Sequence, residues 1–423
     1  MEYELRKHPK ELFVVSIISV LPISFIIGSL IFQLNLIMII ISFLSDFFKS
    51  QNKMKFVEDK NEIKIFLIIL LYLIFNTIIS EDWSISIRRN ILYFEFFLLA
   101  ISLRYFLVNE NILKKVVTNW FFIICLVSLD VFFEYKFGFN SLGFTNETGY
   151  TGRIASFFKD ELIVGSFLLS FIIPIFSYLY LNKQFKLSIF FFFLCSAAIF
   201  LSGERSSFLK LLIAFILITY LWDYKNHLKK YILSILIFLI FLISLTTNIN
   251  QSKIIKHNIV HKYYSTTLNI ISIDKEKSFK QNLMNSRYLN QGVFSYEIFK
   301  NNIFFGVGNK NYFKACHKYV IGNEKNLCYT HPHQTYYELM SEHGIIGSAI
   351  ILVSLIYLIL FNNVDNLNKR KLTIFRIFLL FLFLPLIPSG SFFSSQVSSL
   401  FWINYTFYTI YRNKLIAEKY EKN

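Results

Sequence analysis

Long apolar stretches alternate with short polar runs along almost the whole chain. The stretches, of roughly 16 to 22 residues, are long enough to cross a hydrocarbon core and fall at 12–28, 30–47, 63–80, 91–108, 116–134, 162–181, 186–202, 207–222, 231–247, 344–361, 372–388 and 393–411. That pattern predicts an all-α polytopic membrane protein of about twelve transmembrane helices. The chain divides into residues 1–247 with spans one to nine, a large loop at 248–343, and residues 344–423 with spans ten to twelve and a tail. The first span reads as retained, because no small-residue cleavage site follows it and a second apolar stretch begins at once. No repeat with a period of about 20 to 50 residues is visible, which speaks against an inverted-repeat transporter.

Composition narrows the class. Of 423 residues, 55% are hydrophobic and 17% charged, too few charges to cover a soluble chain of this length. Disorder, coiled coil, collagen and a disulfide-stapled secreted fold are excluded. The net charge of +16 is read by location rather than as nucleic-acid affinity. With both termini inside, every inside segment is basic: Arg6, Lys7 and Lys10; Lys49 to Lys60; Arg104, Lys114 and Lys115; Lys183 and Lys186; Lys225 to Lys230; Lys369 to Lys371; and Arg412 onwards. The loop at 248–343 then lies outside. It holds six of the eight histidines, His257, His261, His317, His331, His333 and His343. A basic, histidine-rich loop suits an anionic ligand, although a solvated lid explains its lysines equally well.

Five arginines lie on the outer side, against the orientation bias: Arg88, Arg89, Arg153, Arg205 and Arg287. A planar guanidinium binds phosphate bidentately and keeps its charge, so all five are candidate pyrophosphate ligands; the alternative is snorkelling to lipid phosphates. Arg205 sits in the turn Gly203-Glu204-Arg205-Ser206-Ser207, at the lip of the hydrocarbon, where low dielectric strengthens a phosphate contact. Asp160 and Glu161 place two carboxylates at the outer mouth of span six. Glu95 and Asp130 fall in the same leaflet, where pairing to hold the bundle is their expected role. Together these groups imply a polar chamber open to the outside.

Two loop stretches carry further signals. From Arg287, the spacing of Leu289, Val293, Tyr296 and Phe299 predicts an amphipathic helix lying on the bundle, stopped by the glycines of Phe305-Gly306-Val307-Gly308. Thr330-His331-Pro332-His333-Gln334 leads through Tyr337, Glu338, Glu342, His343 and Gly344 into span ten. Two imidazoles one residue apart are compatible with a metal site, but the His-Glu-x-x-His helix of zinc proteases is missing. His331 reads more simply as a satisfied structural histidine. Cys316 and Cys328, in an oxidising compartment on this topology, are a candidate disulfide bracing the approach to His331, subject to geometry.

These motifs together resemble the O-antigen ligase-related family, which includes lipopolysaccharide O-antigen ligases and O-antigen polymerases. The resemblance rests on Arg205 in its turn, Arg287 ahead of Phe305 to Gly308, and His333 followed by Tyr337, Glu338 and Glu342-His343-Gly344. Gln334 and Ile303 depart from the Asn and Pro common in the family. The resemblance implies a C-type glycosyltransferase fold in the bacterial inner membrane with its site facing the periplasm. The donor it implies is a glycan on undecaprenyl pyrophosphate, and the ligase acceptor is a sugar hydroxyl of lipid A core. For a polymerase the acceptor is a second lipid-linked glycan. Pyrophosphate is a good leaving group, so neither metal, nucleotide nor other cofactor is called for. Arg205 and Arg287 would stabilise the departing diphosphate, with His333 as general base in one inverting displacement. His331 and Gln334 flank that histidine, and Glu338 or Glu342 would hold its tautomer, although helical spacing puts Glu338 off its face. The rivals are a lipid-linked glycan flippase, which needs charge accessible from both leaflets, and an interaction scaffold.

Overall fold

The computed structural model describes residues 2–49, 60–145, 153–159, 161–217, 289–320, 326–360, 366–384 and 387–420. Arg287, Asp160, His257, His261 and the ninth expected span lie outside them. All regular elements among the described residues are helical: Glu2–Ser19 (α1), Leu21–Ile27 (α2), Ser29–Lys49 (α3), Lys60–Ile78 (α4), Trp83–Leu107 (α5), Glu110–Phe137 (α6), Val164–Leu181 (α7), Phe185–Leu201 (α8), 205–217 (α9), Leu289–Asn301 (α10), Tyr312–Tyr319 (α11), Thr335–Leu360 (α12), Asn366–Leu380 (α13) and Ser395–Tyr420 (α14), with short 3-10 turns at Ser156–Phe158 and Phe381–Phe383.

Among these residues, six helices are long and apolar enough to cross a membrane: α3, α4, α5, α6, α7 and α12. A seventh span forms if Lys10–Ser19 and α2 count as one, bent by 43°. The expectation of about twelve was drawn from apolarity over the whole chain, whereas this count covers the described residues, and a helix enclosed by protein also falls short on apolarity. The clearest case is α14, buried without a break from Ser398 to Arg412. A helix enclosed by protein needs no lipid-facing apolar surface, so it carries Asn404 and Thr406, which bond to the Ser170 carbonyl of α7 at 3.0 Å and the Ala100 carbonyl of α5 at 3.3 Å. Around it packs an aromatic core in which Phe97 stands 4.8 Å from Trp402 and Tyr93 5.1 Å from Phe393. Span eleven, expected at 372–388, is corrected: the helix gives way to the turn at Phe381–Phe383, and the backbone from Ile387 to Ser394 is irregular.

Ion pairs tie the expected inside segments together at one end of the bundle. Arg104 reaches Glu62 at 2.5 Å, Lys115 reaches Glu11 at 3.0 Å, Lys414 reaches Glu110 at 2.6 Å, and Lys10 pairs with Asp46. The opposite ends of α4 and α5 receive the large loop. There Lys314 meets Asp82 at 3.1 Å and Lys318 meets Glu81 at 2.6 Å, while the Asn309 amide donates to Asn76 Oδ1 at 2.8 Å. The described part of the loop has a small core of its own around Phe294, Ile298, Val307, Tyr312 and Cys316. The α10 helix forms where its spacing predicts, but its inner face is corrected: Asn290, Gln291, Phe294, Ser295 and Ile298 are buried, and Tyr296 is exposed. Gln291 turns inward because its amide bonds the Leu327 carbonyl and accepts from the Tyr312 hydroxyl.

Candidate functional site

The site is assembled on a break in α12. Gly344 has φ 62° and ψ −165°, a combination closed to other residues, and it interrupts the helical ladder. Segment 303–308 crosses the gap and pairs with the freed groups. Val307 N donates to Ser341 O and Gly308 N to Glu342 O, both at 3.0 Å, while Ile345 N and Ile346 N donate to Ile303 O and Phe304 O at 2.8 and 3.0 Å. The two backbones approach so closely that a Cβ on Gly306 would lie 2.3 Å from the Glu342 carbonyl carbon.

Two buried carboxylates on the first half of α12 then fix what lies beside it. Glu342 accepts from Lys310 N at 2.8 Å and Tyr312 N at 3.2 Å, satisfying amides of the tight turn after Gly308. Glu338 accepts from Phe392 N at 2.7 Å and from the Ser391 hydroxyl, pinning the irregular segment that follows α13. Lys310 Nζ donates to the same Ser391 hydroxyl and stands 3.7 Å from Glu338. The carboxylates expected to support the histidine thus hold the frame around it. Gln334 has a similar part, since its side-chain oxygen accepts from Tyr337 N at 3.0 Å and caps α12.

His333 precedes this helix in the left-handed region at φ 55°, as does Lys310 at φ 63°. Non-glycine residues persist there only when their surroundings hold them. Ser389 N donates to the His333 carbonyl at 2.8 Å, and the Tyr329 ring meets the imidazole edge-on with centroids 5.5 Å apart. The His331 and His333 rings stand 4.1 Å apart. Burial, aided by the Lys310 charge, pushes the His331 imidazole down to about 4, so it is neutral near pH 7. Cys316 and Cys328 are joined by a disulfide that ties α11 to the strand of chain leading to His331.

Both histidines line a cavity of about 740 Å3 at the loop end of the bundle. Arg89, Arg153, Glu204, Lys210, Lys310 and Ser391 line it as well. Arg153 donates to the Leu162 carbonyl at 2.6 Å, which holds its guanidinium at the wall. A second cavity of about 1220 Å3, mostly apolar, lies between α2, α3 and α6 and shares Arg89 and Gln396 with the first. Glu161 lines this second cavity. The structure therefore brings together His333, His331, Arg89 and Arg153. It leaves Arg88 exposed at the surface, and Arg205 is absent from the wall although Glu204, Ser206 and Ser207 belong to it.

Asp130 and Glu134 accept from Ser141 N, Ser156 Oγ, Ser156 N and Ala155 N, so they brace the turn beside Arg153; for Asp130 these serine and backbone groups stand where pairing with Arg or Lys was expected. Sequence reasoning missed Lys310, Lys210 and Ser391. Lys310 follows a Gly-x-Gly turn inside the recognised motif, and that placement was the available signal. Nothing local marks Ser391. Among the described residues no three His, Cys, Asp or Glu side chains gather as metal ligands.

No curated protein matches the chain. Residues 190–352 match a family model described as O-Antigen ligase. That match takes in Arg205, Arg287, both cavity histidines, Glu338 and Glu342, whereas Arg89, Arg153 and Ser391 lie outside it. The matched model is of the same family that the sequence motifs resemble.

Proposed function

We propose that this chain is a membrane glycosyltransferase that moves a glycan from undecaprenyl pyrophosphate to a sugar hydroxyl of lipid A core. The observation that carries the reading is the shared wall on which two imidazoles, Arg89, Arg153 and Lys310 face one cavity at one end of an apolar bundle. The cations meet the diphosphate and stabilise the charge that grows on it as the glycosidic bond breaks. His333 takes the proton of the acceptor hydroxyl as its oxygen attacks the anomeric carbon from the opposite face, so configuration inverts in one step. Arg205 and Arg287 remain candidate diphosphate ligands through the family resemblance, Arg205 from the turn beside the cavity. A flippase needs the same polar groups to be reachable from both leaflets; the gathering of the cavity cations at one end favours the enzyme.

The test is glycan transfer by the purified protein in lipid nanodiscs, with a polyprenyl pyrophosphate-linked glycan as donor. His333→Ala is expected to lower kcat by at least about 100-fold with donor binding retained. Wild-type turnover in that variant removes the assigned base. A deletion strain separates ligase from polymerase: a ligase defect leaves long glycans on the carrier, whereas a polymerase defect leaves single repeat units on lipid A.

A further inference from the structure

His331 was expected to be a satisfied structural histidine, and its surroundings do not satisfy it. Its Nδ1 has a long contact of 3.3 Å with Thr330 Oγ1, and its Nε2 is buried with no hydrogen-bond partner. A buried imidazole nitrogen left unpaired is destabilising, so a partner for it is favoured. Pro332 and the left-handed His333 fix the backbone on its C-terminal side, so the ring is held against the cavity wall, 4.1 Å from the imidazole assigned as base. The charged and titratable groups sharing that wall are Lys310, Lys210, Arg89, Arg153, Glu204 and His333. Burial and the nearby Lys310 charge disfavour an imidazolium, and a neutral imidazole is a hydrogen-bond acceptor at one nitrogen. A hydroxyl is the partner that suits either tautomer, since it donates to a bare nitrogen and accepts from a protonated one.

We propose that His331 binds a hydroxyl of the acceptor glycan through Nε2 and holds the sugar beside His333. This rests on the glycan-transfer reading above and adds a second imidazole to it, as a binding residue rather than a base. The ring, anchored by a single weak contact, turns its Nε2 toward the cavity when a hydroxyl arrives. No proton changes hands at His331; the reacting hydroxyl gives its proton to His333, and a neighbouring hydroxyl of the same sugar occupies Nε2.

The experiment measures acceptor and donor KM and kcat for wild type, His331→Ala, His331→Gln and His333→Ala. The acceptor probe is core oligosaccharide released from the host strain's own lipopolysaccharide. His331→Ala should raise acceptor KM about five- to tenfold, the loss of one hydrogen bond, with kcat within about threefold and donor KM unchanged. His331→Gln, which keeps an acceptor, should recover most of that KM. An unchanged acceptor KM, or a fall in kcat alone, overturns the proposal and leaves a solvent molecule as the partner of Nε2. A fully active His333→Ala would instead sink the transfer mechanism, with the His331 KM values still read independently. A second measurement needs neither folding of a variant nor turnover. Carbethoxylation of His331 in the wild-type protein, followed by mass spectrometry, should slow at least about threefold when the core oligosaccharide is present. Equal rates with and without it overturn the proposal.

Discussion

Replacing Gly344 with Ala tests whether the break in α12 builds the site. At φ 62° and ψ −165° an alanine is in a region open essentially to glycine, at a cost of about 1–3 kcal/mol. Its Cβ would also lie 2.5 Å from the Phe304 carbonyl carbon and the Phe305 nitrogen, so one backbone must move, adding about 1–3 kcal/mol. If the helix instead closes, Ile345 N and Ile346 N find Ser341 O and Glu342 O, and the four groups of segment 303–308 that used them lose their partners. Either route costs a total of about 2–6 kcal/mol and releases the turn that carries Lys310. The control is Gly138→Ala at φ 83°, where no atom lies within 4 Å of the added Cβ, and the cost there is about 1–2 kcal/mol of backbone strain alone. Melting in detergent, read with hydrogen exchange of peptides covering 303–308 and 341–346, distinguishes the two variants. Gly344→Ala should lose protection in both peptides, melt below the control and lose transfer activity. Wild-type protection across those peptides would refute the claim that the glycine break holds the crossing segment.

Other substitutions separate residues that share a sequence signal. Arg89→Lys should raise donor KM at least about fivefold, because a point charge replaces a planar fork at the cavity wall, while Arg88→Lys at the exposed neighbour should leave it within about twofold. Cys316→Ser should destabilise the loop by roughly 2–4 kcal/mol and slow transfer, and a reducing agent should do the same to the wild type but nothing further to the variant. For His331 the folded protein holds the imidazole at about 4, below its ordinary value of 6.5. The unfolded chain therefore binds more protons between those values, and stability contributed by the neutral ring at pH 7 is lost as pH falls from about 6.5 through about 4. His331→Gln should flatten that part of the melting-temperature profile; an unchanged slope would assign it to other groups.

The pattern along the chain determined a good deal by itself. Apolar length placed α3 to α7 and α12, since a spanning helix must bury its own backbone bonds and show lipid an apolar surface. Basic segments marked the end where Arg104, Lys115 and Lys414 find their acids. The histidine pair, the glycine turn and the paired cysteines were legible because each needs a residue type that few others replace. What apolarity did not show was enclosure: the stretch at 393–411 reads as a span, whereas α14 is buried without a break from Ser398 to Arg412, and its neighbours make Asn404 and Thr406 acceptable there. Helical spacing put the wrong face of α10 inward, because Gln291 and Ser295 are buried by partners distant in the chain. The roles of Glu338 and Glu342 were likewise decided in three dimensions. Their sequence position suggested service to His333, whereas their oxygens satisfy amides of segments 310–312 and 392. Ser391 and Lys310 meet at the wall because carboxylates on the broken helix hold two remote segments together, and hydrogen bonding across such a break depends on tertiary contacts that no local pattern encodes.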